Sequence, residues 1–251
     1  MKNILENKDF FEFIASEYDD MISFKESIEW KKKSFSKIIK PRMKTAADLG
    51  CGTGTDSITL AFLGLNVTAF DPSPAMINYA KANAQREGVD VTFYKSTIQA
   101  IPKKFNSKFD LVVSMGNTFA NVNRENFTAS VQKCYDILNT EGLLVIQVLN
   151  YEKIISEQKR IVNIKQGSDS CFIRFYDFIA DEIVFNILIF NNSNPGENRL
   201  FSTRIYPYLI YEFSSELKKA GFKSINFYAD LESTMFDKSQ SKNVIIKAIK
   251  K

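Results

Sequence analysis

The sequence predicts an α/β protein built on a seven-stranded, mostly parallel, doubly wound sheet. Two observations carry this. Short apolar strands alternate with amphipathic helices from residue 45 to residue 149, a rhythm that implies right-handed crossovers and parallel pairing. The same rhythm resumes near residue 208, after a stretch that breaks it.

In chain order, residues 9–18 and 26–40 read as two helices ahead of the main fold. Thr45–Asp48 is a short apolar run, followed by Gly50-Cys51-Gly52-Thr53-Gly54 and a helix over 55–63. Leu65–Asp71 alternates like a strand. Ser73-Pro74 then starts a helix, an N-cap serine with proline in the first turn, and Gly88 stops it. Val89–Lys95 and the valine-rich Phe109–Met115 are strands, 124–138 is an amphipathic helix, and Gly142–Leu149 is another apolar strand.

Residues 152–207 interrupt this pattern. Cys171–Tyr176 and Glu182–Phe190 are rich in β-branched and aromatic residues and flank a polar turn at Asp177–Asp181. Asn191–Asn198 reads as a loop. A helix over 210–220 ends at Gly221, and strands at 222–228 and 242–248 complete the sheet. The expected division is a helical cap (1–44), a core (45–151 and 208–251) and an antiparallel β insertion (152–207) acting as a lid or a subunit contact in a homo-oligomer.

The chain has 251 residues with 33 basic and 29 acidic side chains, a net charge of +4. It contains no histidine, which excludes a Ser-His-Asp triad, a Cys-His pair and an HExxH metal site. Cys51, Cys134 and Cys171 are far apart, so neither a disulfide framework nor a zinc site is expected, and the odd count suits a reducing compartment. The start lacks the apolar stretch of a signal peptide. The longest apolar runs, Leu143–Ile146 and Ile187–Phe190, fall far short of the roughly 20 residues needed to span a bilayer. A cytoplasmic protein without a membrane partner is expected. The densest basic stretch, Lys31-Lys32-Lys33 with Lys37, Lys40 and Lys44, interleaves with Trp30, Phe35, Ile38 and Ile39. It reads as the solvated face of an amphipathic helix, with no nucleic-acid partner.

A glycine loop between a strand and a helix suits a ligand that must approach the backbone closely. Position 55 is Thr, so the pattern is GxGxG rather than the GxGxxG of nicotinamide and flavin sites. Asp48 precedes the first glycine by two residues, where a carboxylate disfavours a pyrophosphate and suits a cation. S-adenosylmethionine carries a sulfonium and an α-ammonium group, so Asp48, Gly50, Gly52 and Gly54 read as a site for that cofactor. Asp71 ends the second strand, 21 residues past Gly50, and can accept hydrogen bonds from both ribose hydroxyls.

Asp48–Ile58 resembles the first motif of the class I S-adenosylmethionine-dependent methyltransferases, whose core is Rossmann-like. Asp56-Ser57, Gly116-Asn117-Thr118-Phe119-Ala120 and Asn150-Tyr151-Glu152 are similar to segments of glycine and glycine/sarcosine N-methyltransferases. The resemblance covers about residues 45–152. It implies that the Gly50 loop lines the methionine part of the cofactor and that Asp71, with Pro72 after it, holds the ribose. Met76 lies near the adenine, Ser96 and Thr97 contact it, and Met115 supplies backbone near the sulfonium. Tyr18 closes over the cofactor and Lys25 meets its carboxylate. Asn117 orients the acceptor by its side-chain amide or its backbone carbonyl, Asn121 falls where related enzymes have a histidine, and Tyr206 lines the acceptor pocket. One departure stands out. The family places an arginine before the Asn-Tyr-Asp segment to bind the substrate carboxylate, and here that position is Leu149. This disfavours glycine and directs attention to Arg174, Arg204 or lysines of the insertion.

Methyl transfer from a sulfonium is an in-line displacement, so alignment is the main task, and it can supply on the order of 7–11 kcal/mol. A neutral amine needs no strong base, which agrees with the absence of histidine. The expected function is therefore N-methylation of a small-molecule amine. Alternatives are O- or C-methylation of a metabolite or quinone-like lipid, with Tyr18, Tyr206 or Asp19 as base, and a non-catalytic cofactor-binding module.

Overall fold

A computed structural model describes residues 4–167, 169–179, 182–194 and 196–251. The chain starts with a two-residue strand β1 (Ile4–Leu5), helix α1 (Asn7–Ile22) and helix α2 (Phe24–Ser36). The core follows as β2 (Thr45–Leu49), α3 (Thr55–Phe62), β3 (Asn66–Asp71), α4 (Pro74–Glu87), β4 (Val91–Lys95), β5 (Phe109–Ser114), α5 (Arg124–Ile137) and β6 (Leu138–Leu149). Helix α6 (Tyr151–Glu157) leads into β7 (Ile161–Gln166), β8 (Ser170–Ile179), β9 (Glu182–Asn191) and β10 (Asn198–Ile205). Helix α7 (Ile210–Ala220), β11 (Lys223–Tyr228) and β12 (Asn243–Ile249) close the fold.

The central sheet has the order β11-β12-β6-β5-β2-β3-β4. Strands β2 to β6 run parallel, and β12 enters antiparallel between β6 and β11. The middle strands are apolar because helices cover both faces. Val112, Leu144 and Ile146 pack on one side with Phe213 and Leu217 of α7. Leu111, Val113 and Val145 pack on the other with Phe35 and Leu60. Strand order reverses between β2 and β5, which leaves a crevice at their carboxyl ends.

The second sheet has the order β1-β10-β9-β8-β7 and is antiparallel from β7 to β10. Strand β1 adds to it in parallel, so the start of the chain and the 152–207 stretch share one sheet. Phe10 and Ile14 of α1 pack on its Phe172, Ile187 and Ile189. This sheet therefore reaches the crevice through α1 and through the end of β10, where the Tyr206 N–H donates to the Ala120 carbonyl at 2.7 Å.

Most element bounds fall within a few residues of expectation. Ser73 Oγ accepts from the Met76 N–H at 3.1 Å, and Gly88 and Gly221 end their helices at φ of +69° and +103°. Three differences have local causes. Helix α2 stops at Ser36 rather than 40, because residues 37–38 form a turn that drives Ile38 into the core. Strand β6 starts at Leu138, a register shift against β5 absorbing the extra residues. Strand β8 runs through Ile179, over the expected turn; Ala180 and Asp181 lie outside the described residues, as does Pro195 of the 191–198 loop. The edge strand β7 has no sequence counterpart, since its apolar Ile161, Val162 and Ile164 are exposed while the polar Asn163 and Lys165 are half-buried, the reverse of the usual pattern. No helix among the described residues is long and apolar enough to cross a membrane.

Candidate functional site

The crevice holds a cavity of about 390 Å³ at the carboxyl ends of β2, β3, β4 and β5. Its base is the loop after β2. The Gly50 and Cys51 N–H groups donate to the Phe70 carbonyl at 2.8 and 3.1 Å, which folds the loop back onto β3. Gly50 sits at φ +74°, and a Cβ there would overlap the Thr118 side chain. Gly54, at φ +92°, faces Ala80 of α4 instead of the cavity, so its role is close helix packing.

Asp71 lines the cavity and is only 7% exposed. Its Oδ2 accepts from the Gly52 N–H and its Oδ1 from the Ser73 N–H, both at 2.9 Å. Burial pushes its pKa up to about 6, and the two backbone donors oppose the rise. An ionised carboxylate has about four lone-pair sites, so about two stay open for a ligand.

One end of the cavity is strongly polar. Lys31 Nζ meets Asp56 Oδ2 at 2.7 Å, with side chains 17% and 13% exposed. Asp56 Oδ1 and Thr53 Oγ1 are buried without a hydrogen-bond partner, as is Asp19 Oδ1 nearby. Asn83 Nδ2 joins this group by donating to Asp19 Oδ2 at 2.7 Å and to the Thr53 carbonyl at 3.0 Å. Buried polar atoms are nearly always paired in folded proteins, so this end is shaped to receive donors from a ligand.

Of the expected site residues, Tyr18, Gly50, Gly52, Asp71, Pro72, Met76, Ser96, Thr97, Met115 and Tyr206 line this cavity together. Burial pushes the Tyr18 hydroxyl up to about 12, partly offset by Arg174. Besides Gly54, three expectations need correction. Asp48 lies beneath the loop, 1% exposed, and accepts from Ser57 Oγ at 2.6 Å. Burial and the charge of Asp56 raise its pKa, and at this end of the cavity Asp56 takes the lining place expected of Asp48. Lys25 is exposed on α2 and away from the cavity; Lys31, six residues on, lines it because the helix turns that face inward. Asn117 turns away from the cavity. Its Nδ2 donates to the Tyr151 hydroxyl at 2.7 Å and its Oδ1 accepts from the Leu149 N–H at 3.0 Å, so both amide ends brace the turn after β5 against the β6–α6 junction, and its backbone carbonyl accepts from the Ala120 N–H at 3.0 Å.

Arg174 and Arg204 do not line the cavity either. Arg174 Nε donates to Asn163 Oδ1 at 2.6 Å, and Arg204 pairs with Glu182 at 2.7 Å on the surface. Residues that sequence reasoning missed include Lys31, Thr53, Asp56, Phe11 and Asn126. Lys31 belonged to a lysine run that reads as solvated, and its partner lies 25 residues away, beyond any local signal. Glu12 was also missed. It accepts from Ser73 Oγ at 2.6 Å and from the Ala75 N–H at 3.1 Å, which fixes α1 over the start of α4.

A family model for a methyltransferase domain matches residues 46–142. The human glycine N-methyltransferase is 30% identical over 210 residues, covering 70% of this chain and 68% of that one. The chain belongs to the class I S-adenosylmethionine-dependent methyltransferases. A glycine/sarcosine N-methyltransferase of Aphanothece halophytica is 23% identical, over 90% of this chain and 84% of its own. An S-adenosylmethionine-dependent methyltransferase structure from Clostridium acetobutylicum superposes with a TM-score of 0.75 at 16% identity, over 94% of this chain and 97% of that one. The cofactor of this methyltransferase is S-adenosylmethionine. Its donor and acceptor groups match the open lone pairs of Asp71 and the unpaired buried atoms beside Lys31.

Proposed function

We propose that this methyltransferase N-methylates a small-molecule amine. The observation that carries the reading is the set of acids around the cavity. Among the described residues, the lining carboxylates are Glu6, Asp56 and Asp71. Glu6 is exposed at the rim, Asp56 is paired with Lys31, and Asp71 is held by two backbone N–H groups. None is placed as a free general base. A hydroxyl or carbon acceptor loses a proton as it reacts, whereas a neutral amine attacks with its own lone pair. Similarity to a human glycine N-methyltransferase supports the same atom class.

In this reading Asp71 accepts from the ribose hydroxyls and Lys31 meets the carboxylate of the methionine end. Asp56 Oδ1 and Thr53 Oγ1 accept from its α-ammonium group. Met76, Ser96 and Thr97 flank the adenine, while Tyr18 and Phe11 of α1 cover the cofactor and exclude water. Bound there, the cofactor supplies an electrophilic methyl on a sulfonium. Met115 lines the wall at the carboxyl end of β5, and Tyr206 closes the acceptor side. The methyl would pass to the amine nitrogen as its bond to sulfur is lost, and the ammonium so formed would release its proton to solvent.

Calorimetry on Asp71→Ala tests the cofactor half. Loss of a charged hydrogen-bond acceptor costs about 1.5–3 kcal/mol, roughly 10- to 100-fold in affinity for S-adenosylhomocysteine. Unchanged affinity contradicts the assignment. Label transfer from methyl-labelled cofactor tests the acceptor atom: label on nitrogen agrees, and label on oxygen or carbon alone overturns the reading.

A further inference from the structure

We infer that the acceptor is an amine without a carboxylate, recognised through its hydroxyl groups by a cluster of asparagines. The inference rests on the small-molecule amine reading and narrows it to a substrate class.

Charge supplies the first half. Among the described residues, the cations lining the cavity are Lys8 and Lys31. Lys31 is paired with Asp56 at the glycine-loop end, and Lys8 is exposed at the rim. Arg174 and Arg204 are engaged outside the cavity, and Arg124 is exposed, paired with Glu212 and stacked over the Tyr208 ring. Leu149 cannot pair with an anion, and its N–H is held by Asn117. A substrate carboxylate at this end would find no cation but Lys8 at the exposed rim, and a buried charge without a close partner is strongly disfavoured.

The second half is the wall beyond Gly116. Asn7, Asn121, Asn123 and Asn126 line it, and Tyr206 joins them, its N–H donating to the Ala120 carbonyl beside Asn121. Asn7 braces the group: its Nδ2 donates to the Asn121 carbonyl at 3.2 Å, and its Oδ1 accepts from Thr203 Oγ1 at 3.1 Å. Asn123 Oδ1 caps α5 by accepting from the Asn126 N–H at 3.0 Å and from Asn126 Nδ2 at 2.7 Å. Among the described residues, both ends of the Asn121 amide, Asn123 Nδ2 and Asn126 Oδ1 have no hydrogen-bond partner. An amide presents donors and acceptors side by side, and hydroxyls are the neutral ligand groups that both donate and accept. The spacing Asn121-x-Asn123-x-x-Asn126 places these groups on the turn before α5 and on its first turn. Amino sugars and amino polyols have the matching chemistry.

The test is calorimetry on the full chain saturated with S-adenosylhomocysteine, titrated with glucosamine, 1-amino-1-deoxysorbitol, glycine and β-alanine. We expect both hydroxylated amines to bind at least tenfold more tightly than both carboxylated ones. Asn121→Leu and Asn126→Leu should each weaken glucosamine binding by at least fivefold while S-adenosylhomocysteine affinity stays unchanged, which shows that the variants fold. Equal or reversed preference between the two kinds of amine overturns the inference, as does an unaltered glucosamine affinity in both variants. Turnover with labelled cofactor separates it from the reading beneath it. Label on the oxygen of a preferred polyol would refute N-methylation and leave the hydroxyl recognition standing. Label on the nitrogen of glycine in preference to glucosamine would do the opposite.

Discussion

The two halves of the cavity are built in different ways. The half around Gly50 and Asp71 comes from one strand–loop–helix–strand unit, in which the loop is folded by backbone hydrogen bonds and the Asp71 carboxylate is held by backbone N–H groups. The half around Asn121 and Tyr206 comes from a turn after β5, the start of α1 and the end of β10, and it presents side chains. A backbone-built half tolerates little change and suits a constant ligand. A side-chain-built half can change its specificity without disturbing the sheet.

The sharpest way to break this contrast is Gly50→Ala. The methyl would overlap Thr118, and φ +74° costs a non-glycine residue about 1–2 kcal/mol before any clash. S-adenosylhomocysteine binding should fall by well over 100-fold, and adding Thr118→Ala should recover only part of it. Full recovery would show that the backbone conformation matters less than the space.

Next in size is the pH response, which has opposite signs with and without ligand. Asp71, at about 6 in the free protein, must be ionised to accept from a ribose. Cofactor affinity should therefore fall as pH drops below about 6, approaching tenfold per pH unit. The ligand-free fold behaves the other way. Burial raises Asp71, and Asp48 too, above the ordinary value near 3.9, so between about 4 and 6 the folded chain binds more protons than the unfolded one. These two groups should make the free protein more stable as pH falls from 7 toward 5. Asp48→Asn should flatten that rise in thermal melts while leaving the affinity profile in place. Unchanged melting behaviour would argue that Asp48 is not held in its buried setting.

Lys31→Met should weaken S-adenosylhomocysteine by about tenfold, the scale of one charged hydrogen bond. It should leave methylthioadenosine, which lacks the amino-acid end, unaffected. Equal losses for both ligands would place Lys31 elsewhere. Smallest is Glu12→Ala, which removes the acceptor shared by Ser73 and Ala75 at the start of α4. It should cost about 1 kcal/mol, or roughly 2–4 °C of melting temperature for a domain of this size.

Legibility in the sequence follows the same contrast. Gly50, Asp71 and the Ser73-Pro74 helix start were readable because loop, acid and cap sit within one local unit whose spacing is set by strand and helix geometry. Lys31 and Asp56 were not, because burial of a lysine depends on a tertiary partner. Asn117 was found but misassigned: a motif marks a position in the chain, not the direction of its side chain, and at φ +66° the amide turns toward Tyr151. The contribution of β1 to the second sheet was invisible, since two residues carry no periodicity.

The most direct measurement is S-adenosylhomocysteine affinity in two variants side by side, Asp71→Ala and Asn121→Leu. A division of the cavity into a backbone-built cofactor half and a side-chain-built acceptor half predicts a 10- to 100-fold loss in the first and none in the second. Comparable losses in both, or an intact affinity in Asp71→Ala, would contradict it.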